Sequence, residues 1–390
     1  MITVDEALAR VFALCQPLGV ERVALALAAG RVLAEPARAM RDQPPFAASA
    51  MDGYALHGPA APGQRFRVIG EAPAGHAFDG QVDPGTAVRI FTGAPVPQGV
   101  DRVVIQEDVL REGDSITLRA CPDAGAHIRA AGQDFRAGDM LSAPRRLRPV
   151  DLALLASMNL GEVSVTRRPV VAIIATGDEL VMPGEAPRAD QIVASNSFAI
   201  KAMVEAEGAT ARLLPIARDD DARLRAVLEM ARGADVIVTI GGASVGDHDI
   251  VGATTTSMGA EPAFYKIAMR PGKPLMAGRL FDALMLGLPG NPVSAIVCAH
   301  LFLLPALRAL QGLGAWPAPT REALLAEPVP GNGPRAHYMR ASLEPDGLIR
   351  PFANQDSAML GLLGAADALL IRPADDTARP KGHPVRYIPL

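Results

Sequence analysis

Carboxylates and glycines recur directly after the apolar segments in the central part of the chain. The four stretches are "TGDEL", "RDDD", "GGASVGDHD" and "LPGNP", and each follows a run of apolar residues. Continuous apolar runs that alternate with helical segments are typical of a parallel, doubly wound sheet, whose strands all end at one edge. Ligands bind in the crevice beyond that edge. The sequence therefore predicts one site to which four separate loops contribute.

The composition of these loops favours a divalent cation together with an anionic ligand. The candidate residues are Gly177, Asp178, Glu179, Asp219, Asp220, Gly241, Gly242, Gly246, Asp247, Asp249, Gly290 and Asn291. Carboxylates at one edge repel one another unless a cation lies among them, and Mg²⁺ shares carboxylates with phosphates. Lys266, Arg270 and Lys273 in "KIAMRPGKP" and the glycine N–H groups are the donors that an anion requires.

Several of these residues also have a structural interpretation. An Asp at 219 or 220 suits the cap of the following helix, and Asn291 before Pro292 is a typical start of a helix. His248 has no second His or Cys at ligand spacing, which favours a loop histidine. Lys266 alone is equally well explained as a solvated residue at a strand end. Only the convergence of four loops favours a functional role over capping.

Composition excludes several function classes. The 390 residues carry a formal charge of −4, which gives no basic footprint for a nucleic acid. Cys15, Cys121 and Cys298 lack CxxC spacing, which argues against zinc and against a disulfide framework. No GxxxxGK[ST] or GxSxG motif is present, so a P-loop and a nucleophile elbow are not predicted.

Two features bear on the location of the protein. The longest apolar run, Val293 to Leu307, is shorter than the ~20 residues that span a bilayer, and it is predicted to be a buried helix. Asp5 and Glu6 stand where an export signal carries basic residues. The predicted location is the cytoplasm.

The pattern along the chain predicts an elongated, multidomain α/β protein. Residues 1–45 and 130–168 form a helical and extended stalk, and residues 46–129 form an inserted β-rich module, expected to be antiparallel. Residues 169–315 form the central domain, a doubly wound and mostly parallel α/β sheet. Residues 316–390 return to short strands and turns, which predicts a small, barrel-like β domain.

Two stretches in the N-terminal half complete a familiar set. "SAMDGYA" contains Asp52, and "TGAPVPQGVDRVV" contains Thr92. Together with "ATGDEL", "GGASVGDHD", "KIAMRPGKP" and "LPGNPVS", they resemble, in order and spacing, the MoeA family of molybdopterin molybdenumtransferases, which includes the C-terminal domain of gephyrin. The resemblance covers essentially the whole chain.

The resemblance implies a fold and an activity. The fold is an elongated homodimer of four-domain subunits with the sites in clefts between the subunits. The activity is insertion of molybdate into adenylylated molybdopterin, with Mg²⁺-dependent release of AMP, which yields molybdenum cofactor. Asp52 and Thr92 would then face the central domain of the other subunit. Other cofactor-biosynthesis or acceptor enzymes are possible further partners, whereas nucleic acid and membrane are not expected.

Carried over by position, the resemblance implies three sets of site residues. The catalytic set is Asp52, Thr92, Glu179, Asp219, Asp249, Lys266 and Arg270. The set that binds the pterin substrate is Gly241, Gly242, Ser244, Gly246, Lys273, Pro289, Gly290, Asn291 and Pro292. Glu179 and Asp249 are the implied metal ligands.

Four positions depart from the family pattern. Arg270 stands where Lys is frequent, which replaces a compact ammonium by a planar fork. Ala194 occupies a position that is often acidic, and Gln133 replaces a usual Glu. "NQDSAML" departs from the usual "GSxxLSS", so the resemblance assigns no role to Ser357.

Two other functions stay open from the sequence. A pterin adenylyltransferase, which performs the preceding step, has a related central domain, but this function leaves the N-terminal and C-terminal domains without a task. A non-catalytic scaffold is the role of gephyrin's homologous domain, but a scaffold does not need Asp52, Glu179, Asp249 and Lys266 together.

Overall fold

The central region contains a six-stranded sheet made largely from the apolar runs of the sequence. In this computed structural model, which describes residues 1–119, 125–242 and 250–390, the order across the sheet is Thr210–Leu213, Val170–Ala175, Val236–Ile240, Ala283–Leu288, Met276–Leu280 and Glu261–Phe264. The first four strands are parallel, Met276–Leu280 pairs antiparallel with Ala283–Leu288, and Glu261–Phe264 pairs antiparallel with Met276–Leu280. The predicted mostly parallel sheet is confirmed, and an antiparallel hairpin extends it.

Helices cover both faces of this sheet, as a doubly wound fold requires. They are Asn196–Ala206, Asp221–Glu229, Ile250–Ser257 and a long helix made of Pro292–Cys298, a π-helical segment Ala299–Leu303 and Leu304–Leu310. Alternate residues of one strand point to opposite faces. Val171 and Ile173 pack with the long helix, whereas Ala172 and Ile174 pack with the helix Asp221–Glu229.

The long apolar helix belongs to the core. Within the described residues, one helix, Pro292–Leu310, is apolar and long enough to cross a membrane by length and composition, and 83% of its most apolar window is buried inside the protein. The prediction of a buried helix is confirmed.

The N-terminal helix Val4–Ala13 packs on the same core. Thr3 caps it through a capping box with Glu6, and the apolar spacing at residues 4, 7, 8 and 11 forms one face. That face lies among residues of the central sheet. The domain boundaries stay a prediction, and this packing ties the start of the chain to the central domain.

The stalk is built from short antiparallel pairings. One sheet has the order Val20–Ala24, Glu162–Thr166, Val32–Leu33 and Arg145–Arg146, and two further pairs are Ala37–Arg38 with Met140–Leu141 and Ala48–Ser49 with Ile128–Arg129. Pro149–Ser157 is a helix, and Leu25–Leu27 is a 3-10 turn. The two arms of the chain therefore run side by side as far as the inserted module.

The inserted module is a six-stranded sheet. Its order is Arg102–Ile105, Gly53–Leu56, Thr86–Ile90, Arg65–Ala72, Ser115–Leu118 and Val109–Glu112, with a 3-10 turn at Gln106–Asp108. Arg65–Ala72 and Thr86–Ile90 pair in parallel, so the prediction of a purely antiparallel module is wrong at this pair. The connection 73–85 is long enough for the crossover that a parallel pair requires.

The C-terminal region forms a closed barrel, as predicted. Its strands are Arg321–Leu325, Ala336–Leu343, Leu348–Pro351, Ala368–Arg372 and Pro384–Pro389, and Leu360–Gly364 is a short helix. Ala336–Leu343 pairs with both Leu348–Pro351 and Ala368–Arg372, which closes the ring. Met269–Arg270 adds to Ala336–Leu343 in parallel, so the "KIAMRPGKP" segment joins the central domain to the barrel.

Candidate active site

A cavity of about 720 Å³ lies at the carboxyl edge of the central sheet. All four predicted loops reach it, although part of the third loop lies outside the described residues. The predicted residues that line it are Gly177, Glu179, Asp219, Gly241, Gly242, Pro289, Gly290, Asn291 and Pro292. The short strands Leu180–Val181 and Ile192–Val193 form one wall. The structure thus brings these predicted residues together.

Arg218 holds the first loop to the second. Its Nη1 donates to the carbonyl oxygens of Gly177, Asp178 and Leu180 at 3.4, 2.9 and 3.0 Å. The Asp219 N–H donates to Asp178 Oδ1 at 3.2 Å. The backbone around Glu179 is therefore fixed from the neighbouring strand end.

Two adjacent aspartates have separate tasks. Asp220 is the N-cap of the helix Asp221–Glu229, and its Oδ1 accepts from the Arg223 N–H at 2.9 Å. Because Asp220 supplies the cap, the carboxylate of Asp219 is left to line the cavity. From the sequence, either of these two residues could have been the cap.

Glu179 is exposed, and its carboxylate makes no hydrogen bond or ion pair within the described part of the chain. Gly177, two residues before it, has a φ of +144°, and a Cβ added there would lie 2.4 Å from Glu179 Oε2. The glycine therefore makes room for the carboxylate. A free carboxylate held at the mouth of a cavity is available to a ligand.

We expect Gly177→Ala to displace this carboxylate and to lower turnover about tenfold or more, with a loss of about 1–2 kcal/mol in the free energy of unfolding from the positive φ. Urea unfolding and AMP-release assays would measure both effects. Gly184→Ala is the matched control, since φ is +93° and nothing lies within 4 Å of its added Cβ. It should lose stability but keep activity. Equal activity losses would contradict the role of Gly177.

The two glycines that begin the third loop are required by packing. Gly241 and Gly242 have φ of +94° and +64°. A Cβ at Gly241 would lie 2.7 Å from the Thr176 carbonyl oxygen, and one at Gly242 would lie 2.5 Å from Val251 Cγ2. The close neighbours are thus protein atoms of the adjoining strand and helix.

A second, basic cavity of about 380 Å³ adjoins the first. Arg270, Lys273 and Arg335 line it, and Pro274 and Asn291 line both cavities. In the described residues none of the three cations makes a hydrogen bond or an ion pair. Their charges are therefore available to an anion. We call this the basic pocket.

Arg335 was not predicted as a site residue, because it lies in the C-terminal domain, far along the chain from the other site residues. The pairing of Met269–Arg270 with Ala336–Leu343 brings it beside the "KIAMRPGKP" segment. His337 lies close to these cations. Burial first, and then four arginines that include Arg270 and Arg335, lower the pKa of His337 to about 4. The imidazole is therefore neutral near pH 7, and the positive charge around it comes from the arginines.

Ser357, to which the resemblance assigns no role, contacts the fourth loop. Asn291 occupies the N-cap position of the helix Pro292–Cys298, but its side chain makes no capping hydrogen bond, so that part of the prediction is wrong. Asn291 Nδ2 instead donates to Ser357 Oγ at 3.0 Å, and the Val293 N–H donates to the Ser357 carbonyl at 3.1 Å. The C-terminal domain thus docks directly on the "LPGNP" loop.

Asp52 and Thr92 form a pair of their own. Thr92 donates from its N–H and its Oγ1 to Asp52 Oδ1, each at 2.7 Å. The backbone hydrogen bond, followed by the hydroxyl bond, lowers the pKa of Asp52. Neither residue lines the two cavities. Within one chain the structure does not bring them to the carboxyl edge.

The remaining predicted residues fall into three groups. Lys266 is exposed and lines neither cavity. Ala194 is buried in the wall of the larger cavity, and Gln133 Oε1 accepts from the Ala130 N–H at 3.1 Å in a turn. Those outside the described residues are Cys121, Ser244, Gly246, Asp247, His248 and Asp249.

The donor set of the larger cavity suits Mg²⁺. Its carboxylates are Glu179 and Asp219, and the described residues contain no group of three or more His, Cys, Asp or Glu able to hold a metal. Mg²⁺ keeps several waters and typically uses one or two carboxylates with substrate phosphates. Two carboxylates beside an open cavity are consistent with that preference.

Comparison with known proteins covers nearly the whole chain. Family models for the MoeA N-terminal region (domains I and II), a probable molybdopterin binding domain and the MoeA C-terminal region (domain IV) match residues 2–159, 172–309 and 322–390. The molybdopterin molybdenumtransferase of Haemophilus influenzae is 37% identical, with 84% of this chain and 82% of its own length covered. That of Nostoc sp. PCC 7120 is 35% identical, with 95% and 88% covered.

A solved structure agrees with these matches. The crystal structure of the molybdopterin biosynthesis MoeA protein from Pyrococcus horikoshii is 28% identical, with a TM-score of 0.84 and 100% of both chains covered. Three family models in sequence, relatives above 30% identity and a similar structure over the full length of the chain agree on one assignment. The chain belongs to the MoeA family of molybdopterin molybdenumtransferases.

Proposed function

We propose that this protein inserts molybdate into adenylylated molybdopterin, with Mg²⁺-dependent release of AMP, and so forms molybdenum cofactor. The observation that carries the proposal is the pair of adjoining cavities. One contains two carboxylates, the other contains three cations that have no hydrogen bond or ion pair in the described part of the chain, and Pro274 with Asn291 separates them. A reaction that joins a large phosphorylated substrate to a small oxyanion needs such neighbouring sites.

The larger cavity is suited to the adenylylated pterin. Its volume of about 720 Å³ lies in the ordinary range for small-molecule sites. Glu179 and Asp219 would hold Mg²⁺ there, and the ion would neutralise charge on the phosphoanhydride. The two prolines and the glycine of the fourth loop present a rigid, mostly apolar wall to the substrate.

The basic pocket is suited to molybdate, a tetrahedral dianion. Arg270, Lys273 and Arg335 can donate to several of its oxygens. The shared wall places the oxyanion beside the phosphorylated substrate, which lowers the entropy cost of bringing the two together. An adenylyltransferase would leave this pocket unused.

A cytoplasmic homodimer is part of the proposal. The exposed Asp52–Thr92 pair would reach the larger cavity of the partner subunit, since it lines neither cavity of its own chain. Lys266, Ser244, Gly246 and Asp249 are proposed as further site residues on the resemblance to the family, with Asp249 as a metal ligand beside Glu179.

The direct test is incubation with adenylylated molybdopterin, Mg²⁺ and molybdate, with measurement of AMP and of active cofactor. We expect AMP release to depend on molybdate. Release that ignores molybdate, or consumption of ATP with molybdopterin, would contradict the proposal.

Lys273→Ala should raise the KM for molybdate about tenfold, because a charged hydrogen bond to the oxyanion is lost. The KM for the adenylylated pterin should change less. Lys381→Ala is the matched control, since Lys381 is also exposed, without a hydrogen bond or ion pair among the described residues, and lines neither cavity. An unchanged molybdate KM in Lys273→Ala would remove the basic pocket from the mechanism.

A further inference from the structure

The basic pocket contains one carboxylate among its cations. Asp356, from the C-terminal domain, lines the same cavity of about 380 Å³ as Arg270, Lys273 and Arg335. It makes no ion pair with any of them in the described part of the chain. The acid therefore neutralises none of these three cations by direct contact, and its charge acts on an anion in the cavity. It also acts on the buried Arg340: burial lowers the pKa of that guanidinium, and the charge of Asp356 opposes this shift.

The position of Asp356 is fixed by its own loop. Its N–H donates to Asn354 Oδ1 at 2.9 Å, and its Oδ1 accepts from the Ala358 N–H at 2.8 Å. Ser357, the next residue, is bound to Asn291 and Val293 of the central domain. Asp356 is thus held at the rim of the pocket from both sides.

A buried arginine anchors the same loop. Arg340 is only 1% exposed, and its side chain donates to Gln355 Oε1 and to the carbonyls of Met359 and Asn354 at 3.3–3.4 Å. Gln355 Nε2 donates back to the Arg340 carbonyl at 3.0 Å. Because a buried cation is costly to leave without partners, the loop is strongly held in this arrangement.

We propose that Asp356 limits the affinity of the basic pocket for a tetrahedral dianion. It reduces the formal charge that the lining presents to the anion, and a rigid loop prevents it from turning away. This inference rests on the proposed function, in which the pocket binds molybdate. Tight binding of the free anion would not help turnover, since only interactions that strengthen in the transition state do so.

The test is equilibrium dialysis of molybdate against the full-length protein at low ionic strength. Asp356→Asn keeps the acceptor oxygen for the Ala358 N–H and removes the charge. We expect it to bind molybdate about fivefold more tightly, the size expected for one charge acting on a dianion across roughly 8 Å of water-like medium. The gain should shrink in about 1 M salt, where the screening length is roughly 3 Å.

Asp346→Asn is the matched control. Asp346 is an exposed residue of the same domain, its Oδ1 accepts from the Leu348 N–H two residues on at 3.2 Å, and it does not line the pocket. It should bind molybdate as the wild type does. An equal gain in molybdate affinity in both variants would show that the effect comes from the net charge of the protein, and it would overturn the proposal.

The outcomes separate this inference from the proposed function. An Asp356→Asn variant that binds molybdate no more tightly than wild type, or that only loses stability because Asp356 serves to balance Arg340, overturns the proposal. If Lys273→Ala loses binding in the same dialysis, the pocket assignment survives that failure. If Lys273→Ala binds like wild type, the assignment of molybdate to this pocket fails as well.

Discussion

Glu179→Gln is expected to lower molybdate-dependent AMP release about a hundredfold or more while the melting temperature stays unchanged. The carboxylate is exposed and makes no hydrogen bond or ion pair in the described part of the chain, so the fold does not depend on it. Glutamine has nearly the same shape but no charge. A loss of this size is typical when a group that stabilises developing charge is removed.

The measurement is a turnover assay across a Mg²⁺ titration, paired with thermal unfolding. If Glu179 helps to hold the ion, the variant should also need more Mg²⁺ for half-maximal rate. Glu322→Gln is the control, because Glu322 is likewise exposed, makes no hydrogen bond or ion pair in the described residues, and lies on a strand of the barrel. Normal turnover in Glu179→Gln would remove this carboxylate from the site.

The central sheet and its loop edge could be predicted because both depend on local pattern. Val170–Ala175 is apolar at every position and Val236–Ile240 at every position except Thr239, which is typical of strands covered on both faces. The rule that ligands bind beyond the carboxyl ends then gives the location of the larger cavity. The spacing of apolar residues is a short-range property of the sequence, and it is sufficient to predict the strands of the sheet and the edge at which they end.

The basic pocket could be predicted only in part, because its walls come from distant parts of the chain. Arg270 and Lys273 lie in one conspicuous segment, whereas Arg335 and Asp356 reach the pocket through the docking of the barrel. No local pattern encodes that contact. The parallel pairing of Met269–Arg270 with the barrel is visible only in the folded chain.

Helix capping also shows that local sequence does not determine every contact, here at single residues. A sequence offers Asp219 and Asp220 equally as caps, and the choice depends on which backbone conformation the loop adopts. Asn291 has the typical cap position, yet its amide binds Ser357 of another domain. Tertiary contact thus overrides the local preference at Asn291, whereas Asp220 keeps it.

Mixed dimers of Asp52→Ala and Glu179→Ala subunits are expected to recover about half of wild-type activity per heterodimer. The exposed Asp52–Thr92 pair lines neither cavity of its own chain. If each site takes Asp52 from one subunit and Glu179 from the other, one of the two sites in such a dimer contains both changes and the other contains neither. Each parent homodimer should be inactive. Heterodimers would be isolated with two affinity tags and assayed for AMP release.

A second heterodimer shows whether each site is shared between subunits or lies within one chain. A subunit that carries both changes, paired with a wild-type subunit, has one damaged residue in each shared site and should be inactive. If each site instead lay within one chain, the results would be reversed. The dimer of a doubly changed and a wild-type subunit would keep the intact site of the wild-type subunit. The dimer of an Asp52→Ala and a Glu179→Ala subunit would have one damaged residue in each site and would be inactive. Because both heterodimers contain the same substitutions in total, a difference in their activity reports only how the residues are distributed between subunits.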